Sequence, residues 1–254
     1  MGAMTVARAI KRYEHGAYTE VLDDVLKEYV LSIYLRDTLL VTLICTPEYL
    51  EELVVGHLYS DGLISSADDL ASIEIDGQVA RVTPRANTAP TGETEDSGVI
   101  VTDSGDFVGV PDRFRQRGPG AAAKGLDWDP EVVLANASLL LEKSKLFRRT
   151  GNIHSVMICR GTRLLYFCED IGRYNAFDKC VGRALKDKTD LSDACVYTSG
   201  RIPSSIVLKT LRAGIPMLVS RSAPTDASLA LAAEHGLTLL GFAGPTRFNL
   251  YSPE

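Results

Sequence analysis

The chain has 254 residues, of which 45% are hydrophobic and 24% charged, and it carries a formal net charge of −6. That size supports a substantial core in one large domain or two small ones. The acidic balance argues against broad, sequence-independent nucleic-acid binding, which draws on excess Lys and Arg; no apolar run reaches the length of a membrane span, and no basic segment followed by an apolar core opens the chain, so neither a membrane nor a secretory role is expected.

The five cysteines, Cys45, Cys159, Cys168, Cys180 and Cys195, are odd in number and form no CxxC pair. They read as buried thiols in a reducing, cytoplasmic compartment, and no metal site is expected.

Residues 5–28 are mixed and weakly patterned and read as a peripheral segment. Val30 to Arg36 and Leu39 to Cys45 are apolar, β-branched runs on either side of Asp37-Thr38, which predicts a hairpin. Thr46-Pro47-Glu48 then has the form of a helix start, with threonine as N-cap, proline at the first helical position and an acid in the first turn. Leu50, Leu53, Val54 and Leu58 give that helix its buried face, and Asp61-Gly62 ends it. His57 beside this stripe reads as a structural histidine. Ile73 to Ile75 and Val79 to Val82, joined by Asp76-Gly77, predict a second hairpin.

Between about Pro84 and Gly125 glycine, proline, threonine and charge replace long apolar runs, which marks a linker or functional loop. Short strands are possible there only at Val99 to Val101 and Phe107 to Val110. Gly118-Pro119-Gly120-Ala121 imitates a dinucleotide fingerprint but lacks the preceding strand and holds a proline inside the turn. The organisation read from the sequence is therefore an N-terminal hairpin and helix subdomain (1–85), a Gly/Pro-rich loop (86–125) and an α/β domain (126–254), which together can behave as one domain.

Asp129-Pro130-Glu131 starts a strong helix that runs through Val132, Val133, Leu139 and Leu140 toward Phe147. Ile153 to Cys159 and Leu164 to Phe167, joined at Arg160-Gly161, follow as adjacent strands. Cys168 to Lys179 then packs the adjacent carboxylate pair Glu169-Asp170, a glycine, an arginine, an asparagine and a lysine between a strand and a helix. Asn175 is the expected N-cap, because Ala176, Phe177, Cys180, Val181, Ala184 and Leu185 recur at helical spacing after it. Ala194 to Thr198, Ile215 to Val219 and Leu237 to Phe242 read as strands. Ser204 to Arg212 and Thr225 to Glu234 read as helices, stopped by Gly214 and Gly236. This alternation predicts an α/β sheet with right-handed crossovers.

Each of these strands runs straight into a polar cluster: Glu169 to Asn175, Ser199-Gly200-Arg201, Ser220-Arg221-Ser222 and Gly244-Pro245-Thr246-Arg247. Ligands of open α/β sheets sit outside the carboxyl ends of the strands, so parallel strands would gather these clusters, and four arginines, around one crevice. Arginine forks and helix N-termini suit a phosphate-bearing small molecule. The alternative for any one cluster is an arginine turned to solvent or paired across the sheet. His154, at the start of a strand, is a candidate general acid or ligand contact. Phosphate-loop, HExxH and GxSxG strings are absent, as are the HxE and PCxxC strings of a zinc deaminase.

Several strings taken together resemble the FdhD/NarQ family of formate dehydrogenase accessory proteins. They are Thr46-Pro47 with Leu53 to Ile64, Thr150-Gly151-Asn152-Ile153-His154, Glu169 to Lys179, and Thr198-Ser199-Gly200-Arg201; the likeness continues through Arg221 to Thr225 and Gly241-Phe242 to Tyr251. It implies a mixed α/β, cytidine-deaminase-like three-layer fold without the zinc site, a smaller N-terminal β-rich subdomain, and a homodimer. It also implies a sulfur carrier that takes persulfide sulfur from a cysteine desulfurase. The sulfur is passed to the bis-molybdopterin guanine dinucleotide form of the molybdenum cofactor, which formate dehydrogenase then receives. That cofactor would be a transient ligand, not a tightly bound one, and GDP would mimic its nucleotide end. The family's cofactor segment falls on Phe242, Ala243, Gly244, Pro245, Thr246 and Arg247, with Gly244 in place of the usual first arginine. The crevice adds His154, Asp170, Arg173, Asn175, Lys179, Ser199, Gly200, Arg201 and Ser222 as candidate cofactor contacts.

The departure lies in the loop. The family's TSSCGxCG-like string, whose cysteine holds the persulfide, corresponds to Val101 through Gly109, where Gly105 and Val108 stand at the cysteine positions. Ser104 is a poor substitute nucleophile without an activating base. Cys159 and Cys168, expected at strand ends near the crevice, are the remaining thiol candidates. The resemblance therefore implies a sulfur carrier, while the missing thiols leave open a binding module for a guanine nucleotide or molybdopterin dinucleotide without chemistry.

Overall fold

The computed structural model describes residues 4–85, 100–101 and 125–252. Candidate loop positions Ser104, Gly105 and Val108 lie outside the described residues. No helix of the described residues is long and apolar enough to cross a membrane.

The chain builds a mixed α/β structure on two main sheets. Strands β1 (Thr5–Glu14) and β2 (Ala17–Leu26) form a two-stranded antiparallel ribbon. Strands β3 (Tyr29–Leu35), β4 (Thr38–Cys45), β5 (Leu70–Asp76), β6 (Val79–Pro84) and β7 (Ile100–Val101) form a five-stranded sheet in the order β5-β6-β3-β4-β7. Helix α1 (Leu50–Ser60) covers one face of it and packs Leu53, Val54, Val55 and Leu58 against Leu31, Ile33, Val41, Leu43, Ala80 and Val82.

Helices α2 (Pro130–Lys143) and α3 (Lys145–Thr150) lead into the second sheet. Its strands are β8 (His154–Arg160), β9 (Arg163–Asp170), β10 (Cys195–Thr198), β11 (Met217–Ser220), β12 (Thr238–Gly241) and β13 (Asn249–Ser252), in the order β13-β12-β11-β10-β8-β9. Helices α4 (Arg173–Lys186), α5 (Ser204–Arg212) and α6 (Asp226–Glu234) cover one face through Ala176, Phe177, Cys180, Val181, Ile206, Val207, Leu211 and Ala232. Helix α2 covers the other with Val133, Ala137 and Leu140.

Three local expectations give way to other arrangements. The segment 5–28 is peripheral, but it is not without regular structure: it forms the ten-residue strands β1 and β2, whose side chains are mostly exposed, so no alternation of burial was written into it. Leu26 anchors its base against Ile153 and Ile171, while Tyr13, Tyr18 and Leu22 stand exposed toward its tip. Thr46 does not cap helix α1, which begins at Leu50 after Tyr49 in a left-handed conformation (φ 53°). Asn175 does not cap α4 either, since that helix starts at Arg173 after Gly172. Both side chains are held by distant partners described below.

The two halves meet where α1 crosses α4 with almost no side chain between them. A Cβ at Gly56 would lie 1.9 Å from the backbone oxygen of Asp178, and one at Gly182 would lie 1.9 Å from that of Glu52. Backbone oxygens at both contacts cannot swing aside as side chains can, so only glycine fits without parting the helices. The same crossing buries His57 (9% exposed), with Nδ1 3.6 Å from Asp178 Oδ2 and Nε2 3.8 Å from Asp61 Oδ2. Lys209 of α5 reaches the same Asp178 at 2.8 Å. His57 is thus the structural histidine its sequence position suggested.

Gly56→Ala and Gly182→Ala are each expected to destabilise the fold by about 2–3 kcal/mol or more through overpacking, whereas Gly244→Ala, with open space around it, stays within about 0.5 kcal/mol. Urea denaturation of the three variants checks the ranking, and equal stability of Gly56→Ala and Gly244→Ala would contradict the packing argument.

Candidate functional site

The sheet directions gather the polar clusters at one edge. Strands β10, β11 and β12 are parallel, β8 is antiparallel to β10, and β9 is antiparallel to β8. The carboxyl ends of β9, β10, β11 and β12 therefore all face the same way. At that edge the loops are bonded to one another: Arg221 N donates to Thr198 O (3.0 Å), Ser220 Oγ to Gly200 O (2.6 Å), Phe242 N to Ser222 O (3.1 Å) and Ala243 N to Ser220 O (2.9 Å). Such cross-loop bonds make a preformed rim, the usual place for a ligand in an open α/β sheet.

His154, Ser199, Gly200 and Arg173 come together in this crevice. His154 Nδ1 lies 3.3 Å from Ser199 Oγ, which also accepts from Ser155 N at 3.0 Å. Gly200 is pressed against Arg173: a Cβ there would meet Arg173 Cβ at 3.1 Å and His154 Nδ1 at 3.6 Å. Arg173 itself is buried, its guanidinium stacked 4.7 Å from the Tyr174 ring centroid. Arg201, Arg221 and Arg247, each just past a strand end, are exposed.

The segment expected to bind the nucleotide forms the outer lip. Phe242 is 43% exposed and holds φ at 52°, a left-handed backbone that is a genuine outlier for a bulky side chain. Its amide is tied to Ser222, and Gly241 just before it would clash with Tyr251 and Ser222 if it carried a Cβ. Ala243 is buried beneath it, Pro245, Thr246 and Arg247 are exposed, and the turn closes through Gly244 N to Arg247 O at 2.9 Å. An aromatic ring held outward beside a cationic rim is suited to stacking on a flat heterocycle.

Asp170, Asn175 and Lys179 sit elsewhere than expected. Asp170 and Lys179 have no exposed surface and pair at 2.5 Å. Asp170 Oδ2 also accepts from Thr46 N (2.9 Å) and Thr46 Oγ1 (3.0 Å), and its Oδ1 from Gly172 N (2.9 Å) and Asn175 Nδ2 (3.0 Å). Lys179 Nζ donates to Thr46 O (3.1 Å) and lies 2.8 Å from Thr46 Oγ1, and Asn175 Nδ2 donates to Ile44 O (2.8 Å). These three side chains clasp the end of β4 and fix the start of α4; Arg173 is the member of that stretch delivered to the crevice.

The thiol candidates are also displaced. Cys159 pairs with Cys195 at the end of β8 opposite the crevice, because β8 runs against β10, and burial pushes its thiol up to about 12. Cys168 lies two residues from the crevice end of β9 but faces the core under α4 and is 1% exposed. All five cysteines are buried and unbridged.

One ionisable group, read in the sequence only as the first residue of the Glu169 to Asn175 cluster, was not among the candidate contacts. Glu169 is half-buried near the carboxyl end of β9, and burial raises its carboxyl to about 7; the hydrogen bond from Ser155 Oγ (3.1 Å) lowers it, Glu48 raises it and Arg148 lowers it. Ser155 in turn touches Ser144 Oγ at 2.8 Å. A lone serine in the apolar run Ile153 to Cys159 was the available signal.

Removing one partner of the buried pair, as in Asp170→Asn or Lys179→Met, should cost about 3–5 kcal/mol. A double variant, Asp170→Asn/Lys179→Met, should lose clearly less than the sum of the two, measured by denaturation. A second expectation concerns pH. Glu169 has a folded-state pKa above its unfolded value, so its favourable contribution is full below about 4.5 and is lost as pH rises through about 7. Glu169→Gln should therefore stabilise the protein at pH 8 and have little effect at pH 4; a gain of equal size at both would rule the carboxyl out as its source.

The model of the FdhD/NarQ family matches residues 26–254 of this chain. The "Sulfur carrier protein FdhD" of Listeria monocytogenes serotype 4b (strain F2365) is 34% identical, the alignment covering 96% of this chain and 95% of that protein. The protein of the same name from Bacillus subtilis (strain 168) is 33% identical over 98% and 96% of the two chains. A crystal structure from Desulfotalea psychrophila, described as that of a formate dehydrogenase accessory protein, superposes with a TM-score of 0.76 at 26% identity, covering 99% of this chain and 98% of that one. With the family model spanning nearly the whole chain, full-length relatives above 30% identity and a structural match along its length, the chain belongs to the FdhD/NarQ family.

Proposed function

We propose that this protein is an accessory factor in formate dehydrogenase maturation, carrying sulfur to the bis-molybdopterin guanine dinucleotide cofactor while the crevice holds the cofactor's guanine nucleotide. The observation that carries this reading is the joined rim at the carboxyl ends of β9 to β12, with three exposed arginines around it and Phe242 held outward. A guanine base is a flat heterocycle for Phe242, and the diphosphate is an anion for Arg201, Arg221 and Arg247. The names of the relatives supply the direction of the chemistry. On this reading a cysteine desulfurase donates the sulfur, formate dehydrogenase receives the completed cofactor, and the protein works in the cytoplasm as a homodimer.

Sulfur carriage requires a thiolate that attacks the outer sulfur of a donor persulfide and releases the donor as a thiolate. The loop positions Ser104, Gly105 and Val108 provide none, and the five thiols present are buried. That observation favours a second reading in which the crevice binds the guanine-nucleotide portion of the cofactor and no sulfur passes through this chain.

Two measurements separate these readings. Intact mass after incubation with a cysteine desulfurase and cysteine should show an added sulfur if the chain is a carrier; an unchanged mass leaves only the binding role. GDP at a hundredfold excess over its Kd should stabilise the fold by about 2.7 kcal/mol under either reading. Phe242→Ala and Arg247→Ala should each weaken that shift. No thermal shift at millimolar GDP, or an undiminished one in both variants, would dismiss this crevice as a guanine-nucleotide site.

A further inference from the structure

Glu169 of β9 and Ser155 of β8 are cross-strand partners, and from them a line of oxygen atoms runs to the end of α2. Glu169 Oε1 lies 3.1 Å from Ser155 Oγ, Ser155 Oγ lies 2.8 Å from Ser144 Oγ, and Ser144 Oγ lies 2.6 Å from Leu140 O in the last turn of that helix. Ser155 and Ser144 are buried, 1% and 3% exposed, so water brings no hydrogen to the line.

A count of hydrogens decides which state of the carboxyl this line suits. It has three oxygen–oxygen contacts at hydrogen-bonding distance; a carboxylate and a carbonyl only accept, and the two serines bring one hydrogen each. With Glu169 ionised, one of the contacts is left as two oxygens with no hydrogen between them, which is costly away from water. With Glu169 protonated every contact is filled: Glu169 donates to Ser155, Ser155 to Ser144 and Ser144 to Leu140 O. The charged surroundings do little to reverse this preference. Arg148 of α3, the cation that bears on Glu169, directs its hydrogen bonds to Leu141 O (2.6 Å) and Glu142 O (3.0 Å), while Glu48, ahead of α1, opposes ionisation as burial does.

Ser155 joins this line to the crevice. Its amide donates to Ser199 Oγ (3.0 Å), its carbonyl accepts from Ser199 N (3.0 Å), and Ser199 Oγ lies 3.3 Å from His154 Nδ1. A change in how Ser155 is held therefore reaches Ser199 through two bonds.

We propose that Glu169 is a positioning residue of the crevice: as a carboxylic acid it donates through Ser155 and Ser144 onto the last turn of α2, and loss of its proton loosens the hold of that line on Ser155 and Ser199. The proton leaves to water on the exposed side of Glu169. Ser155 then turns its hydrogen back to the carboxylate, and the single hydrogen of Ser144 has two acceptors, Ser155 Oγ and Leu140 O, of which it serves one. The joint between α2 and α3 loses a tie, and Ser155 is drawn toward β9. This role concerns how the crevice is held, whatever ligand it receives.

The full chain, labelled with carbon-13 at the glutamate carboxyls and nitrogen-15 at the backbone amides, is titrated from pH 5 to pH 9 by NMR, the Glu169 signal being assigned by its loss in Glu169→Gln. The expected result is a Glu169 carboxyl still mostly protonated at pH 6, with the Ser155 and Ser199 amide signals moving at its midpoint. Glu169→Gln, whose side-chain amide can donate to Ser155, should hold both signals at their low-pH positions throughout. Ser144→Ala releases the Ser155 hydrogen for the carboxylate and should lower the midpoint by about one pH unit, the size of one net hydrogen bond. A Glu169 carboxyl fully ionised at pH 6, Ser155 and Ser199 amides that do not follow its titration, or a midpoint unchanged or raised in Ser144→Ala would overturn the proposal. The first two outcomes are read in the wild-type chain and do not depend on how a variant folds.

Discussion

The carboxylate of Asp170 and the ammonium of Lys179, both fully enclosed, hold the two halves of this protein in register. Ions removed from water are tolerated only when their hydrogen-bonding capacity is met, and here it is met by the backbone and hydroxyl of Thr46, the amide of Gly172 and the amide group of Asn175. Such a pair adds little net stability over an apolar replacement, but it accepts few geometries. The end of β4 must arrive where α4 begins, and the first residue of α4 is Arg173, which lines the crevice. The arginine's placement is thus inherited from an ion pair with no exposed surface of its own.

The crevice owes its four loops to the reversed strand β8. Consecutive strands of a hairpin ordinarily deliver their connections to opposite edges. Because β8 lies between β9 and β10, the carboxyl end of β9 joins those of the parallel strands, and a hairpin and three crossover strands serve the same rim. This also explains how a chain of net charge −6 can present a cationic surface: Arg201, Arg221 and Arg247 are far apart in sequence and converge only through topology.

The last third of the chain was readable in advance because its strands are buried apolar runs and its helices have glycine stops. Gly214 and Gly236 adopt the left-handed conformations (φ +68° and +67°) that such stops require. The convergence of polar clusters followed from that alternation alone. What could not be read were side chains engaged far along the chain. Thr46 has the local form of a helix cap, but its partner is 124 residues away. Asn175 likewise looks like a cap and bonds Ile44, 131 residues back. Cys159 was placed at the wrong end of the sheet because an apolar strand carries no mark of its direction. The strands β1 and β2 were missed for a simpler reason: a ribbon with solvent on both faces has no burial period to display.

That ribbon has a consequence of its own. Apart from Leu26 and its neighbours at the base and the exposed Asp24–Arg149 pair (2.6 Å), little connects it to the body of the protein. An isolated two-stranded hairpin is marginal in water, so its amide protons should follow a gradient along the strands, exchanging soonest near His15-Gly16 and latest beside Leu26. The protein thus carries a unit that can melt and re-form from the tip inward while both main sheets, and the crevice at the carboxyl ends of β9 to β12, stay intact.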